Sequence, residues 1–178
     1  MENKFKHTTV LCVKHKGKVV IGADGQVSFQ NTVLKHQAKK VRRLYHNQIL
    51  AGFAGSTSDA FSLFQRFEGK LEEYNGNISR AAIELSKEWR TDKVLRRLEA
   101  MLIVANPEHL YILSGSGDVI EPDEEILAIG SGGPYAQAAA LALKRYSNLD
   151  AKALVQKSLE IASEICIYTN KQFTIEEL

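Results

Sequence analysis

The feature that most limits the fold is an alternation of hairpin patterns and helix pairs: strands, two helices, strands, two helices, and a last strand. Apolar runs at 9–13 and 19–23 flank the turn-like tetrad Lys14-His15-Lys16-Gly17, which predicts an antiparallel hairpin. Asp24-Gly25 ends the second run, and a polar segment without strand pattern is expected through Gln37. Strand character returns at Lys40-Val41. Leu44-Tyr45 and 49–54 then flank His46-Asn47-Gln48 as a second hairpin. A third is expected from 101–105 and 110–114, and 119–120, 126–129 and 172–175 complete the strands.

Helix signals fill the gaps. Ser56 with Asp59 three residues on reads as an N-terminal cap, followed by Ala60, Phe64, Phe67 and Leu71 at helical spacing. Tyr74-Asn75-Gly76-Asn77 stops that helix, and the next one, from Asn77, carries Ala81, Ala82, Leu85 and Trp89 on one face. Two more are predicted at 134–145 and from an Asp150 cap to about Tyr168. Hairpins interrupted by paired helices suggest an α+β domain whose helices cover both faces of two stacked sheets. Periodicity by itself does not separate this from other layered α+β folds.

With 178 residues, no internal repeat and no linker-like tract, one domain is expected. A net charge of +2 argues against nucleic-acid or membrane binding driven by bulk electrostatics. Cys12 and Cys166 sit in apolar surroundings without metal-ligand spacing, so buried free thiols are expected. No stretch is long and apolar enough for a signal region or a membrane span, which places the chain in the cytoplasm as an expectation.

The chemistry is expected where the short charged leader meets the first strand, at Lys6-His7-Thr8-Thr9-Val10. Removal of residues 1–7 would make Thr8 an N-terminal residue with a nucleophilic hydroxyl and its own base. The free α-amine, with an unperturbed pKa of about 7.7–8.0, accepts the hydroxyl proton near neutral pH. Taken alone, Thr-Thr-Val reads more readily as the start of an ordinary strand.

Four further motifs keep company with it: 22–26 (Gly-Ala-Asp-Gly-Gln), 39–44 (Lys-Lys-Val-Arg-Arg-Leu), 51–55 (Ala-Gly-Phe-Ala-Gly) and 130–136 (Gly-Ser-Gly-Gly-Pro-Tyr-Ala). In order and spacing, with the closing Ile175-Glu176-Glu177-Leu178, they resemble the HslV (ClpQ) family of ATP-dependent protease subunits, bacterial relatives of proteasome β subunits. The resemblance runs from Thr8 to Leu178. It implies the four-layer αββα sandwich of N-terminal nucleophile hydrolases, a leader at 1–7 that is removed, and a single peptidase domain at 8–178. It also implies a double ring of hexamers, unfolded protein substrates, and a separate HslU-type ATPase unfoldase as partner.

Residue by residue, the resemblance makes Thr8 the nucleophile and Lys40 the ammonium that stabilises its alkoxide. Without it, Lys40 reads as a surface cation. On strand alternation Lys40 and Arg42 share one face, so Lys39 is not an interchangeable substitute. Asp24 is the carboxylate expected to hold Lys40 charged. The family more usually has Gly-Asp-Gly where this chain has Ala23-Asp24-Gly25, and an alanine there requires a negative φ. Gly55 offers a backbone N–H for an oxyanion, Phe53 lines a specificity pocket, and Ser131 hydrogen-bonds near the threonine amine. The competing idea for Gly132-Gly133-Pro134, a phosphate loop at a helix N-terminus, lacks the Gly-Lys-Ser/Thr of a nucleotide site, so no nucleotide is expected on this chain. The resemblance further implies a monovalent cation, sodium, held by the carbonyls of Ser163, Cys166 and Thr169.

The sequence-level alternatives are an N-terminal nucleophile amidase acting on a small amide, and a silent ring subunit that keeps residues 1–7.

Overall fold

The computed structural model describes residues 8–98 and 100–178. Its strands are β1 (Thr9–His15), β2 (Lys18–Asp24), β3 (Val27–Phe29), β4 (Thr32–Lys35), β5 (Val41–Leu44), β6 (Ile49–Ala54), β7 (Met101–Ala105), β8 (Leu110–Ser114), β9 (Val119–Ile120), β10 (Ile126–Gly130) and β11 (Phe173–Glu177). The helices are α1 (Thr57–Glu73), α2 (Ile78–Thr91), α3 (Gly133–Tyr146) and α4 (Ala151–Ile165). One sheet has the order β10-β1-β2-β11 and the other β5-β6-β7-β8-β9; β3 and β4 form a separate hairpin.

Three apolar clusters define four layers. Val10, Cys12 and Ile21 meet Leu50, Ile103 and Ile129 between the sheets. Leu11, Val13 and Val20 turn the other way, toward Ala140, Leu154 and Leu159 of the α3/α4 layer. On the far side, Phe53, Leu102 and Val104 pack against Leu63, Phe67, Leu85 and Trp89 of α1 and α2. Successive residues of β1 therefore serve two different cores, as a period of two requires. That is why its sequence is an unbroken apolar run. This is the expected αββα sandwich.

The caps fall where expected: Ser56 accepts from the Asp59 N–H, Asn77 from Arg80, and Asp150 from Ala153. Two expectations are corrected. The segment through Gln37 holds the β3/β4 hairpin, whose β4 is exposed along its length, so no burial pattern marks it. Helix α4 ends at Ile165, short of Tyr168. Ile165 and Ile167 continue the apolar pattern but are exposed, and a turn closed by Thr169 N–H to the Cys166 carbonyl (3.0 Å) follows the helix.

Candidate active site

The site lies where β1, β2 and β10 end together. Thr8 is buried just ahead of β1, and Thr9, opposite Gly130, opens the β1–β10 ladder. Gly130 has φ +89, and a Cβ there would stand 1.8 Å from the Thr8 carbonyl oxygen. Only glycine allows this approach. Gly132 is equally crowded, since a Cβ would fall 2.2 Å from Thr9 Oγ1.

Asp24, the last residue of β2, is 1 % exposed and fully used. Its Oδ1 accepts from Lys40 Nζ (2.8 Å) and from the Thr9 backbone N–H (2.8 Å). Its Oδ2 accepts from the backbone N–H groups of Gln26 (2.8 Å) and Asn170 (3.4 Å). A buried carboxylate is tolerable only with such partners. Ala23 is absent from the positive-φ residues, so the alanine is unstrained.

Lys40 lies one residue before β5, and its side chain is 8 % exposed. Burial holds its pKa below the ordinary lysine value, against the opposing pull of the Asp24 charge and hydrogen bond. Strand alternation does not govern it: Lys40 reaches Asp24 on the other sheet, whereas the Arg42 guanidinium lies 4.4 Å from the ring centre of Phe61 in α1. Lys39 is exposed and does not take the place of Lys40.

Two cavities meet at Thr8 and Gly55. The smaller, about 50 Å³, is bordered by Lys40, Phe53 and Ser56; the larger, about 460 Å³, by Gly130, Ser131, Leu98, Ala100 and Met101. Phe53 is buried beside the smaller cavity and tilted 6.2 Å from the Phe64 ring. Thr8, Asp24, Lys40, Gly55, Phe53 and Ser131 thus come together.

Thr9 points elsewhere. Its Oγ1 shares a hydrogen bond with Thr169 Oγ1 (2.7 Å) and accepts from the Gly132 N–H (3.1 Å), with both threonine side chains buried. Cys166 and Thr169 border the unwinding end of α4, while the Ser163 hydroxyl donates to the Glu160 carbonyl (2.6 Å). Among the described residues, no group of three His, Cys, Asp or Glu side chains is arranged for a metal.

The residue missed in the sequence is Asn170. Its Oδ1 accepts from the Gly25 and Gln172 N–H groups (3.1 Å each), and its Nδ2 donates to the His36 carbonyl (2.9 Å). The only local signal is an Asn two residues before Gln172, the spacing of an Asx turn.

The proteasome-subunit family model matches residues 5–178. The chain is 59% identical over 171 residues to the ATP-dependent protease subunit HslV of Syntrophobacter fumaroxidans, covering 96% of each. The chain belongs to the HslV family of proteasome-type threonine peptidases. The crystal structure of HslV from Trypanosoma brucei superposes with a TM-score of 0.91 at 44% identity, over 96% of this chain and 98% of that one. A Thiobacillus denitrificans protein, BPH, solved in complex with epoxomicin, matches at TM-score 0.73 and 21% identity, over 96% of this chain and 97% of that one. At that identity the likeness extends to the fold alone. No described helix is long and apolar enough to cross a membrane.

Proposed function

We propose that Thr8, once residues 1–7 are removed, is the nucleophile of a peptide hydrolase acting on unfolded protein. The observation carrying this reading is the placement of Thr8 on both cavities, beside an Asp24 carboxylate that is buried and bonded to Lys40 at 2.8 Å. The Thr8 amine takes the hydroxyl proton as the oxygen attacks the peptide carbonyl, and the Lys40 ammonium stabilises the developing alkoxide. Asp24 keeps that ammonium charged and aimed. The Gly55 N–H receives the oxyanion. The ammonium formed at Thr8 gives its proton to the departing amine, with Ser131 orienting it, and an ester remains on Thr8 Oγ1. Water, deprotonated by the same amine, then attacks the ester; the bond from the acyl carbon to Thr8 Oγ1 breaks, that oxygen takes the proton back from the amine, and the acid product leaves.

The resemblance to HslV supports an assembly of two stacked hexamers that encloses the sites, fed by a separate ATPase unfoldase, in the cytoplasm. The relative's description as an ATP-dependent protease subunit agrees with a two-component machine. No nucleotide site is proposed on this chain. A sodium ion is proposed at the carbonyls of Ser163, Cys166 and Thr169. The fit is chemical: a carbonyl has two lone pairs, so Cys166, which accepts the Thr169 N–H, retains one. The ion would stiffen the turn that carries Thr169 and takes no part in bond breaking.

The test is the intact mass of the purified protein followed by mapping of a peptide vinyl sulfone adduct. A mature chain starting at Thr8, labelled on Thr8, is expected, with hydrolysis reduced to background in Thr8→Ala. An unprocessed chain carrying the label, or a label on any other residue, would overturn the mechanism, and an unprocessed chain without label would favour the silent ring subunit.

A further inference from the structure

We infer that the larger cavity at Thr8 receives the side chain on the leaving-group side of the scissile bond, and that it selects a large apolar residue. The inference rests on the proposed roles of Thr8 as nucleophile and of Ser131 in orienting its amine. The two cavities differ about ninefold in volume, roughly 460 against 50 Å³. About 10–15 Å³ of such space holds one water, so the smaller cavity admits a few waters and the larger a bulky side chain. Ala54, Leu98, Ala100 and Met101 give the larger an apolar wall, and Thr8, Ser116 and Ser131 bring hydroxyls to its lining. Ser116 at its rim has its hydroxyl engaged with Asp118 and Ser114, and so offers little to a polar guest.

The side of the bond follows from the path of the proton. Lys40 borders only the smaller cavity, and Ser131 only the larger. The proton taken from the Thr8 hydroxyl must be returned to the departing amine, so the departing half lies on the side of the group that orients the proton carrier. That group is Ser131. The residue following the cut therefore faces Leu98 and Met101.

Met101 is suited to a test, because it is 45% exposed at the start of β7, where a substitution keeps the ladder to Ala54 and Ser114. Reduced, carboxymethylated casein is digested by the assembled protein together with its ATPase, and the new termini of the products are counted by mass spectrometry. New N-termini of the wild-type products should be enriched at least about tenfold in Leu, Phe, Met and Tyr over Gly and Asp, the scale at which an apolar pocket discriminates. Met101→Lys should move the new N-termini toward Asp and Glu, Met101→Phe toward smaller apolar residues, and neither should change the new C-termini. Shifts confined to the C-termini, or no shift in either variant, would overturn the assignment. Persistence of the same cleavages in Thr8→Ala would instead remove the nucleophile on which it rests, and that control separates the two failures.

Discussion

The two ends of the β1/β2 hairpin use the same residue types to opposite effect. At the turn end, Lys18 pairs with Glu177 at 2.9 Å with side chains 58% and 34% exposed. At the site end, Lys40 pairs with Asp24 at 2.8 Å with side chains 8% and 0% exposed. The distances are nearly equal, so distance does not distinguish the two pairs. Burial and surplus partners do. The exposed pair is screened by water and contributes at most about 1 kcal/mol. The buried pair has been stripped of water, which costs several kcal/mol for each ion, and is balanced only by its mutual attraction and by the N–H groups of Thr9, Gln26 and Asn170.

The contrast is broken most severely by removing the ammonium. Lys40→Ala should lower turnover by roughly 10²–10³, about 3–4 kcal/mol at the transition state, with the assembly retained. Near-normal peptide hydrolysis by this variant would show Lys40 to be no more than another Lys18. Wild-type activity should also fall on the alkaline side at a pH below the ordinary lysine pKa of about 10.4, since burial lowers the pKa of Lys40. The sign for stability is opposite. Between the lowered folded value and the ordinary unfolded one, the unfolded chain binds the extra proton, so this group's contribution to stability rises with pH there. Unfolding free energies of wild type and Lys40→Met, compared across that window, check the slope.

Removal of the carboxylate is read in stability rather than in turnover. Asp24→Ala leaves a buried ammonium without its partner and should cost about 3–5 kcal/mol in denaturant unfolding. A loss below 1 kcal/mol would make the site end no different from the turn end.

Thr9→Val keeps shape but strands the Thr169 hydroxyl, at a cost of about 1–3 kcal/mol. Hydrolysis should weaken without disappearing, which steady-state rates will show; complete loss would mean that Thr9 shares the chemistry of Thr8. Lys18→Ala closes the series. A change within about 1 kcal/mol in stability and none in peptide hydrolysis is expected.

The same contrast explains what could be read from the sequence. The hairpins of β1/β2, β5/β6 and β7/β8, and the caps Ser56, Asn77 and Asp150, were legible because each is a local pattern written in consecutive residues. Lys40 was legible only through the company of motifs, since its own neighbours, Lys39, Arg42 and Arg43, read as a charged surface. The β3/β4 hairpin was missed because β4 buries nothing. The end of α4 was misread because Ile167 is apolar yet 80% exposed. Asn170 was invisible for a different reason: its value lies in reaching Gly25, Asp24 and His36, all more than 130 positions away along the chain. No window of sequence contains such a relation.

The strand order β10-β1-β2-β11 also sets a schedule for the newborn chain. Thr9 is paired with Gly130, and Asp24 with Phe173, so the first strands emerge long before their neighbours exist. At about 5–20 residues per second, translation needs on the order of ten to thirty seconds to pass from Thr8 to Phe173. Until then, half of the sheet that frames Thr8 has no flanking strands, and the Asp24 carboxylate lacks Asn170. The surroundings of Thr8 are therefore completed only when the last strand of the chain has been made.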